Sequence, residues 1–187
     1  VILCIAEPHF ANYDCELLLP AIEAAAKRAS VPVAIQLDHG GCLETVIKAI
    51  NLGCNGVMLD ASNQNFSDNT EHTKAVAEMA HRCGVSVVGE LGYIAGNEGE
   101  GAEQHPGETA FTLPSEAKAY VERTSVDFLA VSIGTVQGRM NGRAKLDYVR
   151  LKQLNQAVKI PLVIHGGSGL HEDQFHKLTS NGVAKSD

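Results

Sequence analysis

The chain has 187 residues, of which 44% are hydrophobic and 20% are charged, a composition typical of a globular protein with one sizeable core. Its formal net charge of −7 gives no support for a nucleic-acid or anionic-membrane partner. The five cysteines are scattered without a C-x-x-C pair, which argues against a disulfide framework or a zinc knuckle. No apolar run reaches the ~20 residues of a membrane span. We therefore expect one domain over residues 1–187 and a cytoplasmic location.

Short apolar segments alternate with segments of helical period along the whole chain. We predict strands over 1–7, 31–37, 56–61, 85–91, 127–133 and 160–165, with the start of another at 182–185. Three groups of apolar residues recur at the spacing of an amphipathic helix. These groups are Leu43, Val46, Ile47 and Ile50, then Ala75, Val76, Met79, Ala80 and Cys83, and lastly Tyr148, Leu151, Leu154 and Val158.

Helix start signals agree with this alternation. Asp68 and Glu71 have the spacing of a capping box, and Pro114 suits the first turn of a helix that continues through Val121. Strands that are apolar throughout predict a parallel sheet covered on both faces, which leaves a doubly wound sheet and a (β/α)8 barrel as alternatives. A barrel needs eight strands, so we interpret the chain as a fragment, or the ordered part, of a longer one.

Polar side chains follow the apolar strands at their carboxyl ends, where parallel α/β folds gather their chemistry. A single histidine at such a place is more often structural. Two histidines with several carboxylates have the composition of a divalent-metal site with a nearby acid or base. The residues are Glu7, Asp38, His39, Asp60, Glu90 and His165. The glycines and the Ser168 hydroxyl of GGSG (166–169) suit a phosphate, although a bare GGSG is also an ordinary tight turn.

Six motifs occur in order over nearly the whole chain: LDHG, VMLDAS, GELGYIAGNE, LAVSIGTVQG, AKLDYVRL and IPLVIHGGSG. Together they resemble the class II ketose-bisphosphate aldolases, the fructose- and tagatose-bisphosphate group. The resemblance implies a (β/α)8 TIM barrel that here lacks its first strand and the end of its last, assembled as a homodimer or homotetramer. It also implies a zinc-dependent lyase, which cleaves a ketose 1,6-bisphosphate to dihydroxyacetone phosphate and glyceraldehyde 3-phosphate or runs the reverse reaction.

The resemblance assigns roles to individual residues. His39 and His165 match zinc ligands, and Glu90 matches a carboxylate that contacts the metal in an alternate position. Asp38 matches the base that takes the C4 hydroxyl proton, and Glu98 matches the residue that exchanges a proton with the dihydroxyacetone phosphate carbon. The remaining matches lie near the substrate, its phosphates or a monovalent cation such as Na⁺ or K⁺: Asp60, Gly138, Gly166, Gly167 and Ser168.

The chain departs from the family pattern at two places. The family motif G-T-x-H-G carries a third zinc histidine, where this chain has Gln137, a weaker zinc donor, so either Glu90 completes the ligand set or metal binding is weakened. The family also has an asparagine that grips phosphate in the last strand, where this chain has Ser186 and Asp187. Two alternatives therefore stay open: a catalytically impaired sugar-phosphate binder, and another phosphate-binding barrel isomerase or epimerase.

Overall fold

The structure is a computed structural model that describes residues 1–94, 111–136 and 144–187. The chain divides into a first compact unit, residues 1–89 with 124–126, and a second, residues 90–123 with 127–187. Within the described ranges, strands and helices alternate along the chain. The strands are β1 (Ile2–Ala6), β2 (Ala34–Gly40), β3 (Gly56–Leu59), β4 (Ser86–Leu91), β5 (Phe128–Val131), β6 (Leu162–Ile164) and β7 (Val183–Ser186). The helices are α1 (Glu7–Asn12), α2 (Cys15–Lys27), α3 (Leu43–Asn51), α4 (Phe66–Arg82), α5 (Pro114–Thr124), α6 (Tyr148–Ala157) and α7 (Glu172–Thr179).

The first unit is built on strands that pair in chain order, β1 with β2, β2 with β3 and β3 with β4, all parallel. Its interior is apolar: Leu37, Val57 and Val87 from the strands are fully buried. Helix α3 contributes Val46 and Ala49 to this core. The predicted parallel α/β organisation is therefore confirmed for this unit.

The second unit pairs β5 with β6 and β6 with β7, again in parallel. The strands bury Leu129 and Leu162, and the predicted face of α6 buries Leu151 and Leu154 against this interior. The helix predicted from Pro114 is also present. None of the helices in the described ranges is long and apolar enough to cross a membrane.

Strand β2 begins later than predicted and runs past the apolar segment. It covers Ala34–Gly40 instead of 31–37, because Pro32 has no N–H to donate to a strand ladder. The ladder starts where Ala34 N donates to the carbonyl of Val1 at 2.9 Å. The polar pair Asp38 and His39 therefore lies inside the strand and not after it.

Helix α4 begins with a different cap from the predicted one. Asn65 is the N-cap, and its side chain accepts a hydrogen bond from Asp68 N at 3.0 Å, so Asp68 is the partner of the cap and not the cap itself. The buried face also differs, because Ala77 is buried whereas Ala75 is exposed. Helices α1, α2 and α7 were not predicted.

Candidate active site

The carboxyl end of β2 departs from regular strand geometry. The pairing of β2 with β3 shifts register between Leu37 and Gly40, and His39 has a left-handed φ of +47°, which is rare for a residue other than glycine. Successive side chains of a regular strand point to opposite faces, and a bulge of this kind redirects them. Gly40 is required here, because a Cβ would lie 2.8 Å from the Met58 carbonyl oxygen.

His39 is held by a chain of hydrogen bonds within the first unit. Its Nδ1 lies 2.7 Å from Asp60 Oδ2, while Asp60 Oδ1 accepts from Ser62 Oγ at 2.7 Å and from Ser62 N at 3.1 Å. Burial alone would raise the pKa of Asp60, but the hydrogen bonds from His39 and Ser62 outweigh it and lower the pKa to about 2. An ionised Asp60 favours the tautomer with the proton on Nδ1, which leaves the lone pair of the neutral imidazole on Nε2.

Asp38 is oriented by the residue two positions before it in β2. Gln36 Nε2 donates to Asp38 Oδ1 at 2.9 Å, and the two side chains are buried, with Asp38 only 2% exposed. Residues i and i+2 of a strand share a face, which explains the contact. The carboxylate of Asp38 is thereby fixed in one direction, as a general base must be.

Glu7, one of the carboxylates that follow the predicted strands, contacts the start of α3. It is the first residue of α1, and its Oε2 accepts a hydrogen bond from Gly41 N at 2.5 Å. Its Oε1 accepts from Thr45 Oγ1 at 2.6 Å, in the first turn of α3. A carboxylate at a helix N-terminus is favourable because the backbone N–H groups there need acceptors. Glu7 therefore stabilises the start of α3.

The second unit brings an imidazole and a carboxylate together. His165 follows β6, and its Nδ1 lies 3.8 Å from Oε2 of Glu90 in β4. The side chains are almost completely buried, 1% exposed for His165 and 2% for Glu90. A neutral imidazole beside a buried carboxylate is a donor pair of the kind that zinc and related divalent ions take. His165 and Glu90 therefore have the chemistry of divalent-metal ligands, as does His39 with its lone pair on Nε2.

The predicted phosphate turn is shaped by glycines but is partly engaged by the chain itself. Gly166 and Gly169 have positive φ values of 72° and 93°, which favour glycine at these places. Gly167 N donates to the carbonyl of Asp187 at 2.5 Å, and Ser168 is exposed. In this arrangement Ser168 and Gly169 are the exposed residues of the turn.

Thr112 anchors the chain where the described residues resume after position 110. Its Oγ1 donates to the carbonyl of Leu91 and accepts from Ser132 N at 2.8 Å, so it links the ends of β4 and β5. Arg150 supports it by donating to the Thr112 carbonyl at 3.1 Å while its guanidinium lies over the Phe111 ring. The remaining predicted site residues, Glu98, Gln137 and Gly138, lie outside the described residues.

Several contributors were missed in the sequence analysis. Gln36 and Ser62 orient the predicted residues Asp38 and Asp60, and Thr112 links two strand ends. The D-x-S spacing of Asp60 and Ser62 is a usable signal, because a serine two residues after an aspartate often bonds back to it. No local pattern marks Thr112, whose partners are distant in sequence.

A parallel α/β fold with polar side chains near the carboxyl ends of its strands defines a class, the α/β enzymes whose sites lie at that edge. Comparison with known proteins gives the family. The sequence model of the family described as fructose-bisphosphate aldolase class-II matches residues 1–187, so the chain belongs to the class II fructose-bisphosphate aldolase family.

Individual relatives agree with this assignment. A fructose-bisphosphate aldolase from Thermus caldophilus is 39% identical, over 99% of this chain and 68% of its own length. The YdjI aldolase from Escherichia coli K12 superposes with a TM-score of 0.85 at 31% identity, over 100% of this chain and 64% of that one. A fructose-bisphosphate aldolase from Campylobacter jejuni, 23% identical, shares the fold with a TM-score of 0.78, over 100% of this chain and 63% of that one. The chain thus spans about two thirds of the length of these relatives.

Proposed function

We propose that the protein containing this chain is a metal-dependent aldolase. It cleaves fructose or tagatose 1,6-bisphosphate to dihydroxyacetone phosphate and glyceraldehyde 3-phosphate, or condenses the two. The observation that carries this proposal is the hydrogen bond from His39 to Asp60, in a chain of the aldolase family, because it presents Nε2 as a metal donor. We further propose a single (β/α)8 barrel domain, a cytoplasmic location and a homodimer or homotetramer.

Zinc is the proposed ion, with His39 and His165 as ligands and Glu90 as the carboxylate ligand. When bound, the ion supplies the Lewis acidity that stabilises negative charge on the substrate's ketone oxygen. Gln137 is a weaker donor than the histidine of the family motif. The buried carboxylate of Glu90, 3.8 Å from His165 Nδ1, is the stronger candidate to complete the set.

Asp38 is the proposed base for the C4 hydroxyl. Cleavage of the C3–C4 bond requires that this hydroxyl lose its proton as the bond breaks, and a carboxylate next to a metal-binding histidine can take it. The hydrogen bond from Gln36 keeps Asp38 in one orientation, which lowers the cost of positioning the base. Glu98 is proposed to exchange the proton at the dihydroxyacetone phosphate carbon, and Asp60 acts by fixing His39.

Phosphate binding is proposed for the glycine turns, Gly138 and Gly166 to Ser168, with a monovalent cation such as Na⁺ or K⁺ beside them. Backbone N–H groups of successive glycines and the Ser168 hydroxyl are donors suited to phosphate oxygens. Because Gly167 N donates to the Asp187 carbonyl, Ser168 is the donor that we expect to contribute most from the second turn.

Release of dihydroxyacetone phosphate from each bisphosphate tests this function. We expect the full-length protein to release it, chelation to abolish the release, and zinc or cobalt to restore it. A comparison of kcat/KM for fructose and tagatose bisphosphates assigns the substrate. Turnover that survives complete chelation would remove the metal mechanism. Gln137 favours one alternative function, in which the protein binds a sugar phosphate without cleaving it. Tight binding of either bisphosphate without product would support this alternative.

A further inference from the structure

Gln174 is a buried residue in the first turn of α7, the helix that follows the predicted phosphate turn. Its Oε1 accepts a hydrogen bond from His171 N at 3.2 Å, and its Nε2 donates to the Ala144 carbonyl at 3.0 Å. Only 3% of Gln174 is exposed. The partners fix the direction of the amide, because a backbone N–H needs an acceptor and a carbonyl needs a donor. One side chain therefore joins two segments that are distant in the chain.

The bond to His171 is a helix cap. His171 is the N-cap residue of α7 and Gln174 is the third residue of the helix, a position from which glutamine often bonds back to the N-cap N–H. The phosphate turn lies just before this cap, since Leu170 N donates to the Gly167 carbonyl at 3.0 Å. Gln174 thereby fixes the helix start that continues from the turn.

The bond to Ala144 has no capping role, because a cap uses only the oxygen of the amide. The Ala144 carbonyl belongs to the segment that leads into α6, and this segment packs on the chain after β5. Asp147 N donates to the Ile133 carbonyl at 2.9 Å, and a Cβ at Gly134 would lie 2.5 Å from the Lys145 carbonyl oxygen. The amide nitrogen therefore reaches a segment that is held directly against the end of β5.

Gln174 thus connects the carboxyl ends of two neighbouring strands, since β5 and β6 pair in parallel. The turn at 166–168 follows β6, and the proposed phosphate residue Gly138 stands between Gly134 and Ala144 in the chain. Both hydrogen bonds belong to a buried amide, so the loss of either leaves a buried polar group without its partner, at a higher cost than the loss of an exposed hydrogen bond. The separation between the two chain segments is therefore fixed in part by one side chain.

We propose that Gln174 is a positioning residue for phosphate binding, acting through the turn after β6 and the segment after β5. This inference rests on the proposed function, because these two parts of the chain carry the residues proposed to bind phosphate. Donors that are already held at a fixed separation need no ordering when the ligand binds, whereas loosened donors must be ordered at a cost in affinity. Neither hydrogen bond of the Gln174 side chain involves a proposed metal ligand.

Calorimetric titration of fructose and tagatose 1,6-bisphosphates into the metal-free, full-length protein tests this role. Removal of the ion stops turnover under the proposed function, so the titration gives Kd for binding alone. We expect Gln174→Met, which keeps the size of the side chain and loses both hydrogen bonds, to raise Kd at least about fivefold. Gln153→Met is the matched control, because Gln153 is an exposed glutamine of α6, and its Kd should stay within about twofold of the wild type.

His171→Pro separates positioning from helix capping. Proline has no N–H, so this variant loses only the capping bond, and the φ of −82° at His171 is near the proline value of about −65°. Positioning by Gln174 predicts that His171→Pro keeps the wild-type Kd for the bisphosphates, since the bond to the Ala144 carbonyl remains. Equal increases of Kd in His171→Pro and Gln174→Met would assign Gln174 to the cap alone and overturn the inference.

Gln174→Glu keeps the test decisive if Gln174→Met does not fold. It retains an oxygen for His171 N but loses the donor to Ala144, so its Kd for the bisphosphates should also rise. Cobalt titration should give the wild-type Kd in each folded variant, and a parallel loss of cobalt affinity would overturn the inference. Wild-type bisphosphate affinity in a folded Gln174 variant also overturns it, while dihydroxyacetone phosphate release by the wild type still upholds the proposed function. A wild-type protein that binds neither bisphosphate overturns both.

Discussion

Asp60 accepts a hydrogen bond from Nδ1 of His39 at 2.7 Å and is itself fixed by two hydrogen bonds from Ser62. The local backbone supports the same arrangement, because His39 adopts a φ of +47° at a shift in register. Such a conformation costs of order 1–3 kcal/mol and persists only when the surrounding contacts impose it. The contacts and the backbone at the end of β2 thus fix the orientation of the His39 imidazole.

Asp60→Asn should weaken divalent metal binding about 10–100-fold, because a neutral amide polarises the imidazole less and no longer fixes its tautomer. Competition with a chromophoric chelator measures the change. The control Glu78→Gln removes a charge from an exposed position of α4 in the same unit and should leave the affinity unchanged. Equal affinities of wild type and Asp60→Asn would show that Asp60 does not act through His39.

Asp38→Asn should lower kcat for aldol cleavage by at least about 100-fold with little change in metal content, since general base catalysis contributes about 10²–10⁴-fold. An amide is nearly isosteric, so Gln36 keeps a hydrogen-bonding partner. Steady-state kinetics and metal analysis on the same preparation separate the two effects. Unchanged kcat would exclude Asp38 as the base, and lost metal would assign it a different role.

Gly40→Ala should destabilise the protein by about 1–3 kcal/mol, the usual cost of a methyl group forced into a filled space. The new Cβ would lie 2.8 Å from both the Met58 carbonyl oxygen and Leu37 Cδ2, and the carbonyl belongs to the backbone of β3. Urea unfolding measures the difference. Gly56→Ala provides the control, because its nearest neighbour lies at an ordinary 3.5 Å. A midpoint for Gly40→Ala no lower than that of the control would contradict the crowding.

Cys54 should resist thiol reagents at pH 8 in the folded protein. Burial, reinforced by the nearby Cys15, raises the pKa of Cys54 from 9.0 to about 11, and only the thiolate reacts. Cys4, Cys42 and Cys83 are exposed and should be labelled first. The pKa of Cys54 is higher in the folded protein than in the unfolded chain. The neutral thiol of Cys54 therefore contributes to the free energy of unfolding below pH 9, and this contribution is lost as the pH rises toward 11. Mass spectrometry of labelled peptides checks the order, and equal rates for Cys54 and Cys83 would refute it.

Periodicity was sufficient for the general organisation and for part of the site. The alternation of apolar strands with helices such as α6 was predictable, because burial on both faces of a parallel sheet leaves a continuous apolar run. The polar residues at the carboxyl ends of β2, β3 and β4 were predictable: Asp38 and His39, Asp60, and Glu90. The resemblance of six ordered motifs then indicated the family, and the match over residues 1–187 confirms it.

The remaining features depend on contacts between distant residues or on backbone geometry. The bulge at His39 follows from the close approach of Gly40 to β3, which no local pattern contains. The contact of Glu7 with the start of α3 was not predictable, because its partner Thr45 lies 38 residues later in the chain. The sequence marked Asp187 only as a difference from the family pattern. Its proximity to His165 was not predictable, because it arises from the pairing of β6 with β7.

The most direct test of the account is the divalent metal content of the full-length protein, measured together with dihydroxyacetone phosphate release for the wild type and for His39→Ala and His165→Ala. The account predicts one ion per chain in the wild type, at least a tenfold loss of affinity in each variant, and loss of product release with the ion. Full wild-type turnover by either variant without bound metal would contradict it.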